Sequence, residues 1–209
     1  MGSEKRHRRK LSPLRNIKID NSPSNCLTPC ALPDAVAELC ERLHAPHRLV
    51  AHLTLVHDVA CQITRGLSSE IRTLKLNAST VQLAAATHDM GKIVHPEELY
   101  AGGTQHELAG PAFLTQHGFP ADIARCARTH GRWAEEELAL EELLVALADH
   151  VWKGTRSERL ETRIVELIAG QTGQQSWEVF QVLDELLNTI TSKAEARLVW
   201  QATAVPSRD

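Results

Sequence analysis

The stretch THDMGK, residues 87–92, follows the apolar run VQLAAA and sets an imidazole beside a carboxylate at His88 and Asp89. Burying an unpaired carboxylate costs far more free energy than burying an alanine. The pair is therefore either solvated where a helix ends or compensated by a bound positive charge. An imidazole and a carboxylate form a mixed nitrogen and oxygen ligand pair that suits Fe, Mn, Zn or Co. Gly91 is expected to break the helix and to let a bound anion approach the backbone.

Residues of the same ligand types lie elsewhere in the chain, at His52, His106, His130 and Asp149. Each has a simpler explanation when taken alone, such as a core histidine for His52 or a favourable helix-end charge for His130. Asp149 is the hardest to explain in this way. It follows the apolar residues 145–148, and a buried acid needs a partner.

The order of these residues resembles the HD-domain phosphohydrolase superfamily, and HDMGK is similar to its central His-Asp motif. The resemblance covers about residues 33–153. It implies a helical bundle that holds a divalent metal ion. The positions that match the ligands of this ion are His52, His88, Asp89 and Asp149.

Two further histidines, His106 and His130, match the positions that binuclear members of the superfamily add between the His-Asp pair and the last aspartate. The resemblance therefore implies two divalent ions, with Asp89 as the bridge between them. His95 and His117 stay open as alternative ligands of the second ion. The sequence does not distinguish among Fe, Mn, Zn, Co and Mg.

The activity that the resemblance implies is hydrolysis of a phosphomonoester, a nucleotide or a phosphodiester. Two cations that share Asp89 would lower the pKa of a bridging water, and the resulting hydroxide would attack phosphorus in line with the leaving oxygen. Asp89 and Lys92 are the catalytic candidates, and His150 is a candidate proton donor to the leaving group. The candidate phosphate contacts are Lys92, Arg132, Lys153 and Arg156.

Two other functions fit the same residues. A catalytically silent helical module could use the cleft to sense a ligand, and a di-iron oxygenase on this scaffold could activate oxygen in place of water. Intact ligand types at all six positions argue against the silent module. The Gly-Tyr-Pro motif of the cyclic-dinucleotide phosphodiesterase branch is absent, because ELAGP follows His106, which lowers the case for a signalling nucleotide.

The elements that must position these residues are helices. Leu and Ala are plentiful and aromatic residues make up only 4% of the chain, which favours a helical core. Helical apolar spacing and Pro or Gly breaks predict helices at 34–45, 47–66, 105–117, 120–129, 135–152, 156–169 and 175–197. Another begins at the capping residues 77–80 and ends at the THDMGK motif. The predicted class is all-α, an HD-domain-like bundle with additional C-terminal helices.

Other polar and aromatic side chains have less defined roles. His57 lies about 140° around the second helix from His52, so the two histidines cannot both face one site. His57 and Asp58 are therefore predicted to form a partly exposed pair. Trp133 and Trp152 could stack on a base or pack in the core.

The charge of the chain is uneven. Its 209 residues carry a net charge of −3, yet residues 1–18 hold seven Lys or Arg against Glu4, a charge of +6 that leaves −9 for the rest. We expect a basic, disordered arm and linker at 1–32 and one helical domain at 33–200. Nucleic acid could bind only through the arm, which the salt dependence of binding with and without residues 1–18 would test.

The sequence also leads to expectations about the location of the protein and its partners. No segment approaches the ~18 apolar residues of a membrane span, and the basic arm has no apolar stretch of a signal peptide. Five cysteines without a CxxC pair favour free thiols in a reducing cytoplasm. The expected partner is a phosphorylated small molecule or nucleotide, and the last two helices could form an oligomer interface.

Overall fold

A computed structural model describes residues 27–204 of the chain. The basic arm up to residue 26, and the predictions made for it, lie outside the described residues. Between residues 27 and 204 the chain forms nine α-helices and two short 3-10 helices, with no strand, so the all-α prediction is confirmed. The α-helices are α1 (Asp34–Arg42), α2 (His47–Glu70), α3 (Ala78–Thr87), α4 (Gln105–Gln116), α5 (Ala121–Thr129), α6 (Leu140–Val151), α7 (Glu158–Thr172), α8 (Ser176–Thr191) and α9 (Ala194–Ala204). The 3-10 helices, Met90–Ile93 and Pro96–Leu99, lie between α3 and α4.

Local signals set the start of helices that carry candidate ligands. At the start of α3 the Asn77 side chain accepts a hydrogen bond from the backbone N–H of Thr80, as the predicted caps require. At the start of α6 the Glu142 carboxylate accepts from the N–H of Ala139 at 3.1 Å. These bonds satisfy N–H groups that have no partner inside their own helix.

Helix α2 lies at the centre of the bundle and contributes to both apolar clusters of the core. Leu55 and Ile63 pack into the larger cluster, together with α3, α6, α7 and α8. Leu49 and Leu53 pack into the smaller cluster, which includes residues of α1, α4 and α5. Because His52 lies between these buried leucines, packing on both sides fixes its position.

The predicted helix 135–152 is wrong at its start, since α6 begins only at Leu140. Arg128 donates two hydrogen bonds to the Glu136 carboxylate, at 2.9 and 3.0 Å. Arg163 of α7 donates to the backbone carbonyl of Glu136 at 2.7 Å. These tertiary bonds hold the acidic stretch as a loop and occupy a carbonyl that a helix would use itself.

The predicted last helix, 175–197, is also wrong, because the chain turns at 192–193 and forms two helices there. Arg197 of α9 is fully buried and donates to the carbonyl of Ile190 at 2.7 Å. This bond ties α9 back to the end of α8, and α9 packs on α2. The periodicity of the two helices is continuous in the sequence, so only tertiary packing reveals the turn.

Three other helix ends differ from the prediction, among them that of α7, which runs to Thr172 and not to residue 169. Helix α2 continues to Glu70, four residues past Gly66. A Cβ atom at Gly66 would come within 2.8 Å of the Leu186 side chain, so this glycine serves the close packing of α2 against α8 and does not end the helix. Helix α1 ends at Arg42, before the predicted residue 45.

The prediction that His57 and Asp58 are partly exposed is wrong, because their exposed fractions are 6% and 7%. The segment before α1 covers this part of α2, and the N–H of Cys30 donates to Oδ1 of Asp58 at 3.1 Å. Nε2 of His57 lies 3.5 Å from the Cys61 sulfur, on a different side of the helix from His52. That these two histidines do not share a site is therefore confirmed.

No helix in the described range is long and apolar enough to cross a bilayer. The four cysteines in that range are free thiols, as predicted.

Candidate metal centre

The six side chains predicted to bind metal come together at one place in the bundle. They come from α2 (His52), the end of α3 (His88 and Asp89), the first turn of α4 (His106), the end of α5 (His130) and the last turn of α6 (Asp149). Four of the six are buried. The other two side chains, those of His52 and Asp149, are 15% and 25% exposed. The group therefore opens to solvent on the side of α2 and α6.

Asp89 lies at the centre of this group and divides it in two. Its Oδ2 lies 3.1 Å from Nε2 of His52 and 3.7 Å from Nε2 of His88. Its Oδ1 lies 3.0 Å from Nε2 of His106 and 3.5 Å from Nε2 of His130. The two oxygens of one carboxylate thus face two different pairs of histidines.

Asp149 completes the first of the two sides. Its Oδ1 lies 3.3 Å from Nε2 of His52 and 3.6 Å from Nε2 of His88, and these two nitrogens are 3.2 Å apart. The His52 ring packs edge-on against His88 and Trp152, with centroid distances of 5.1 and 5.2 Å. Two imidazole nitrogens and two carboxylate oxygens therefore converge on one point.

Backbone carbonyls orient two of the rings. Nδ1 of His88 donates to the carbonyl of Ala85 at 2.8 Å, and Nδ1 of His130 donates to that of Ala127 at 3.1 Å. Burial, reinforced by the field of His88, lowers the pKa of His130 to about 4, so its ring is neutral near pH 7. Nε2 of His130 then presents a lone pair to a carboxylate oxygen, an arrangement that a cation between them would stabilise.

The two carboxylates beside His52, those of Asp89 and Asp149, determine its protonation state. Burial alone would lower the pKa of His52, but hydrogen bonds and charge from Asp149 and Asp89 raise it to about 9. Against their own burial, the surrounding histidines hold the pKa of both carboxyl groups well below the usual range. A proton on His52 therefore offsets these charges without metal. A metal ion bound there would have to displace that proton, so we expect metal affinity to rise with pH towards about 9.

One buried atom at the centre has no hydrogen-bond donor. Oδ1 of Asp89 accepts no hydrogen bond of good geometry within the part of the chain that the structure describes, although Nε2 of His106 lies 3.0 Å away. Such an atom is costly to bury, and a bound cation would satisfy it. Three overlapping sets of side chains have ligand atoms within 4.8 Å of one another: His52 with His88 and Asp149, His88 with Asp89 and His130, and His106 with Glu107 and His130. The residues fit divalent cations.

Glu107, a member of the third set, was not among the residues predicted from the sequence. Its exposed fraction is 7%, and burial raises the pKa of its carboxyl group. Nε of Arg132 lies 3.9 Å from one of its oxygens. Glu107 directly follows His106, but neighbouring positions on a helix do not normally face one site. Only the approach of α5, which brings His130, groups these side chains.

Glu98 orients the His106 ring and was also missed by sequence reasoning. Its Oε2 accepts from Nδ1 of His106 at 2.5 Å and from the His106 backbone N–H at 3.0 Å. Its Oε1 accepts from the N–H of Gln105 at 2.9 Å. A carboxylate on Nδ1 fixes the ring with Nε2 towards Asp89 and raises its basicity.

We expect Glu98→Gln to weaken binding of the cation on the His106 side by about 10- to 100-fold, because the ring loses a charged hydrogen-bond acceptor. Calorimetric titration of the metal-free protein with Mn²⁺ measures this effect. Glu97→Gln is the matched control, since Glu97 lies on the same 3-10 helix with an exposed side chain. Equal affinities in the two variants would contradict the orienting role of Glu98.

A family model described as HD domain matches residues 34–152. The chain belongs to the HD-domain family. The predicted resemblance to this superfamily of metal-dependent phosphohydrolases is thereby confirmed. The matched region spans α1 to α6, which carry all six predicted ligands, while α7 to α9 follow it. Comparisons with curated proteins and with solved structures found no match.

A cleft of about 140 Å³ opens onto the HD-domain centre. Beside His52 and Asp89, its walls include Arg48, Lys92, Trp152 and Gln201. Arg48 lies on the first turn of α2, and Gln201 comes from α9, beyond the matched region. The C-terminal helices therefore shape the approach to the centre, although their sequences contain no motif.

Of the predicted phosphate contacts, Lys92 lies in the cleft, with Nζ 2.5 Å from Oδ2 of Asp89. Arg132 and Lys153 are not among the residues that line it. Arg156 is engaged by carboxylates of α7 and α8, at 2.6 and 2.8 Å. The geometry therefore supports Lys92, and the other three stay predictions without a contact to the cleft.

The two alternative ligands belong to none of the ligand sets. Nδ1 of His95 lies 3.3 Å from an oxygen of Glu97, and Nδ1 of His117 donates to the carbonyl of Phe113 at 2.8 Å. The geometry thus favours His106 and, with it, His130 as the histidines of the second side.

The remaining candidates are His150, Trp133 and Trp152, and of these only Trp152 lines the cleft. His150 donates from Nδ1 to the carbonyl of Ala146 at 2.9 Å and packs against Trp133, and neither ring lines the cleft. The geometry therefore gives no support to His150 as a proton donor. Trp152 is 7% exposed, joins the larger core cluster and forms one wall of the cleft beside His52.

Proposed function

We propose that this HD-domain protein is a metal-dependent phosphohydrolase that cleaves a phosphomonoester, a nucleotide or a phosphodiester. The observation that carries the proposal is the position of Asp89, whose two oxygens face separate pairs of histidines. A carboxylate placed in this way suits two cations that act on one substrate. The adjoining cleft gives a substrate access to the centre from solvent.

Each cation would have its own ligands. His52, His88, Asp149 and Oδ2 of Asp89 would hold one, and His106, His130 and Oδ1 of Asp89 would hold the other, with Glu107 within reach of the second set. Imidazole-rich sets favour Fe, Mn, Zn or Co above Mg. When bound, such cations lower the pKa of water and withdraw charge from phosphate oxygens.

Lys92 provides the phosphate contact in this proposal. Its ammonium pairs with Oδ2 of Asp89, the same oxygen that faces His52. With a cation held at that oxygen, the Lys92 ammonium would be displaced towards the cleft that it already lines. There it binds a phosphate oxygen and stabilises the negative charge that grows in the transition state.

Metal removal and reloading test the proposal. We expect about two divalent ions per chain after anaerobic purification, loss of phosphatase activity after chelation, and its return with Fe²⁺ or Mn²⁺. Elemental analysis and a screen of phosphate esters provide the measurement. Metal binding without turnover of any ester would support the silent sensing module instead. Oxygen uptake by an iron-loaded protein would support the oxygenase.

A further inference from the structure

The cleft is lined by a positively charged side chain, Arg48, whose role the metal centre does not explain. Arg48 precedes His52 by four residues on α2, so the two side chains lie on one face of the helix and line the same cleft. Lys92, the other cation of the cleft, pairs with Asp89 at the centre. Arg48 has no carboxylate within 4.0 Å among residues 27–204, so its charge is not neutralised there.

The Arg48 side chain is held in place by uncharged groups. Its Nε donates to the carbonyl of Leu99 at 3.1 Å, and its guanidinium lies 5.6 Å from the centre of the Tyr100 ring. Both contacts come from the end of the 3-10 helix Pro96–Leu99 and the residue after it. They fix the plane of the guanidinium while its two terminal NH₂ groups have no hydrogen-bond partner in the described chain.

Besides Asp89 at the centre, one other acid of the described chain lines the cleft, and it does not compete for the Arg48 guanidinium. Glu98 also lines the cleft, but its Oε2 accepts from His106 and its Oε1 accepts from the N–H of Gln105. Its negative charge is therefore directed at the metal side of the cleft. Gln201 of α9 also lines the cleft and carries an uncharged polar side chain.

We propose that Arg48 binds a second oxyanion of the substrate, separate from the phosphate at the metal centre. This inference rests on the proposed function and narrows its substrate class to phosphate esters or anhydrides that carry another phosphate or a carboxylate. A fixed, unneutralised guanidinium forms paired hydrogen bonds with either of these groups. A substrate with one phosphate and no further charge would leave Arg48 unused.

Calorimetry on the metal-loaded full chain tests this with three ligands that cannot be hydrolysed: methylphosphonate, phosphonoacetate and methylenediphosphonate. We expect the two ligands with a second oxyanion to bind about 10- to 100-fold more tightly than methylphosphonate. Arg48→Gln should remove that gain and leave methylphosphonate affinity within about threefold. Of phosphonoacetate and methylenediphosphonate, the ligand that binds more tightly identifies the second group as carboxylate or phosphate. Elemental analysis after each titration verifies that the metal is retained.

The matched control is Arg65→Gln, an exposed arginine further along α2 that does not line the cleft. It should keep the full gain. Equal affinity of the native protein for all three ligands would overturn the inference alone, as would an equal loss for all three in Arg48→Gln, which would indicate a purely structural arginine. If methylphosphonate itself does not bind the loaded protein, the proposed function fails as well, and this inference with it.

Discussion

An Asp89→Asn protein is expected to lose both metal ions and to lose phosphohydrolase activity by at least ~10³-fold. The amide keeps the shape of the side chain but carries no negative charge, and its NH₂ group cannot act as a ligand. Because the two oxygens of Asp89 face different histidine pairs, one substitution affects both sides of the centre. Loss of a single charge-stabilising group already costs about 10²- to 10³-fold in other active sites, and here two are affected.

Metal content per chain and the rate of ester hydrolysis at saturating metal provide the measurement for Asp89→Asn. Asp122→Asn is the matched control, since Asp122 is exposed on the first turn of α5 and lies outside every ligand set. Circular dichroism of the metal-free variants separates a lost site from a lost fold. An Asp89→Asn protein that keeps two ions and full activity would falsify the proposed function.

His88, Asp89 and Asp149 could be predicted because each has a local cause in the sequence, whereas His52, His106 and His130 were predicted from the resemblance to the HD-domain superfamily. Asp149 stood out as an acid in an apolar helix, and His88 and Asp89 stood out at the end of another. An acid or a histidine at a core position needs a partner, and this requirement can be recognised without knowing the fold. The fold class could be predicted for a similar reason, since helical periodicity is local.

The residues that orient and approach the centre could not be predicted in this way. Glu98 reaches His106 from a 3-10 helix eight positions earlier, and Gln201 reaches the cleft from the last helix of the described range. Arg48 looks like any exposed arginine until Leu99 and the cleft are placed beside it. These contacts depend on how loops and later helices pack, and no periodic pattern records that packing.

In the acidic stretch 135–137, the local sequence pattern predicted a helix that tertiary contacts prevent. Its glutamates favour a helix start by their charge, but Arg128 and Arg163 reach it from α5 and α7 and hold it as a loop. Charge-assisted bonds to two arginines outweigh a helix preference of a few tenths of a kcal/mol per residue.

The Gly91→Ala substitution is expected to lower the free energy of unfolding by at least ~3 kcal/mol, or about 10 °C in Tm. Gly91 is buried, and a Cβ atom there would lie 2.1 Å from the carbonyl oxygen of His106 and 2.8 Å from its carbonyl carbon. These are backbone atoms at the start of α4, so no side-chain rotation relieves the clash. The glycine thus serves the approach of two backbones, not of a bound anion as the sequence suggested.

The same clash is also expected to change metal binding, which a measurement of stability does not detect. Moving the start of α4 displaces His106 from Oδ1 of Asp89, which lies 3.0 Å from its Nε2. We therefore expect Gly91→Ala to lose one metal ion per chain while the ion beside His52 stays bound, as elemental analysis of the folded protein would measure. Gly102→Ala is the matched control, because nothing lies within 4 Å of a Cβ atom there and it precedes the same helix. If both alanine variants unfold at the same temperature and hold the same metal, the close approach at Gly91 is not what positions His106.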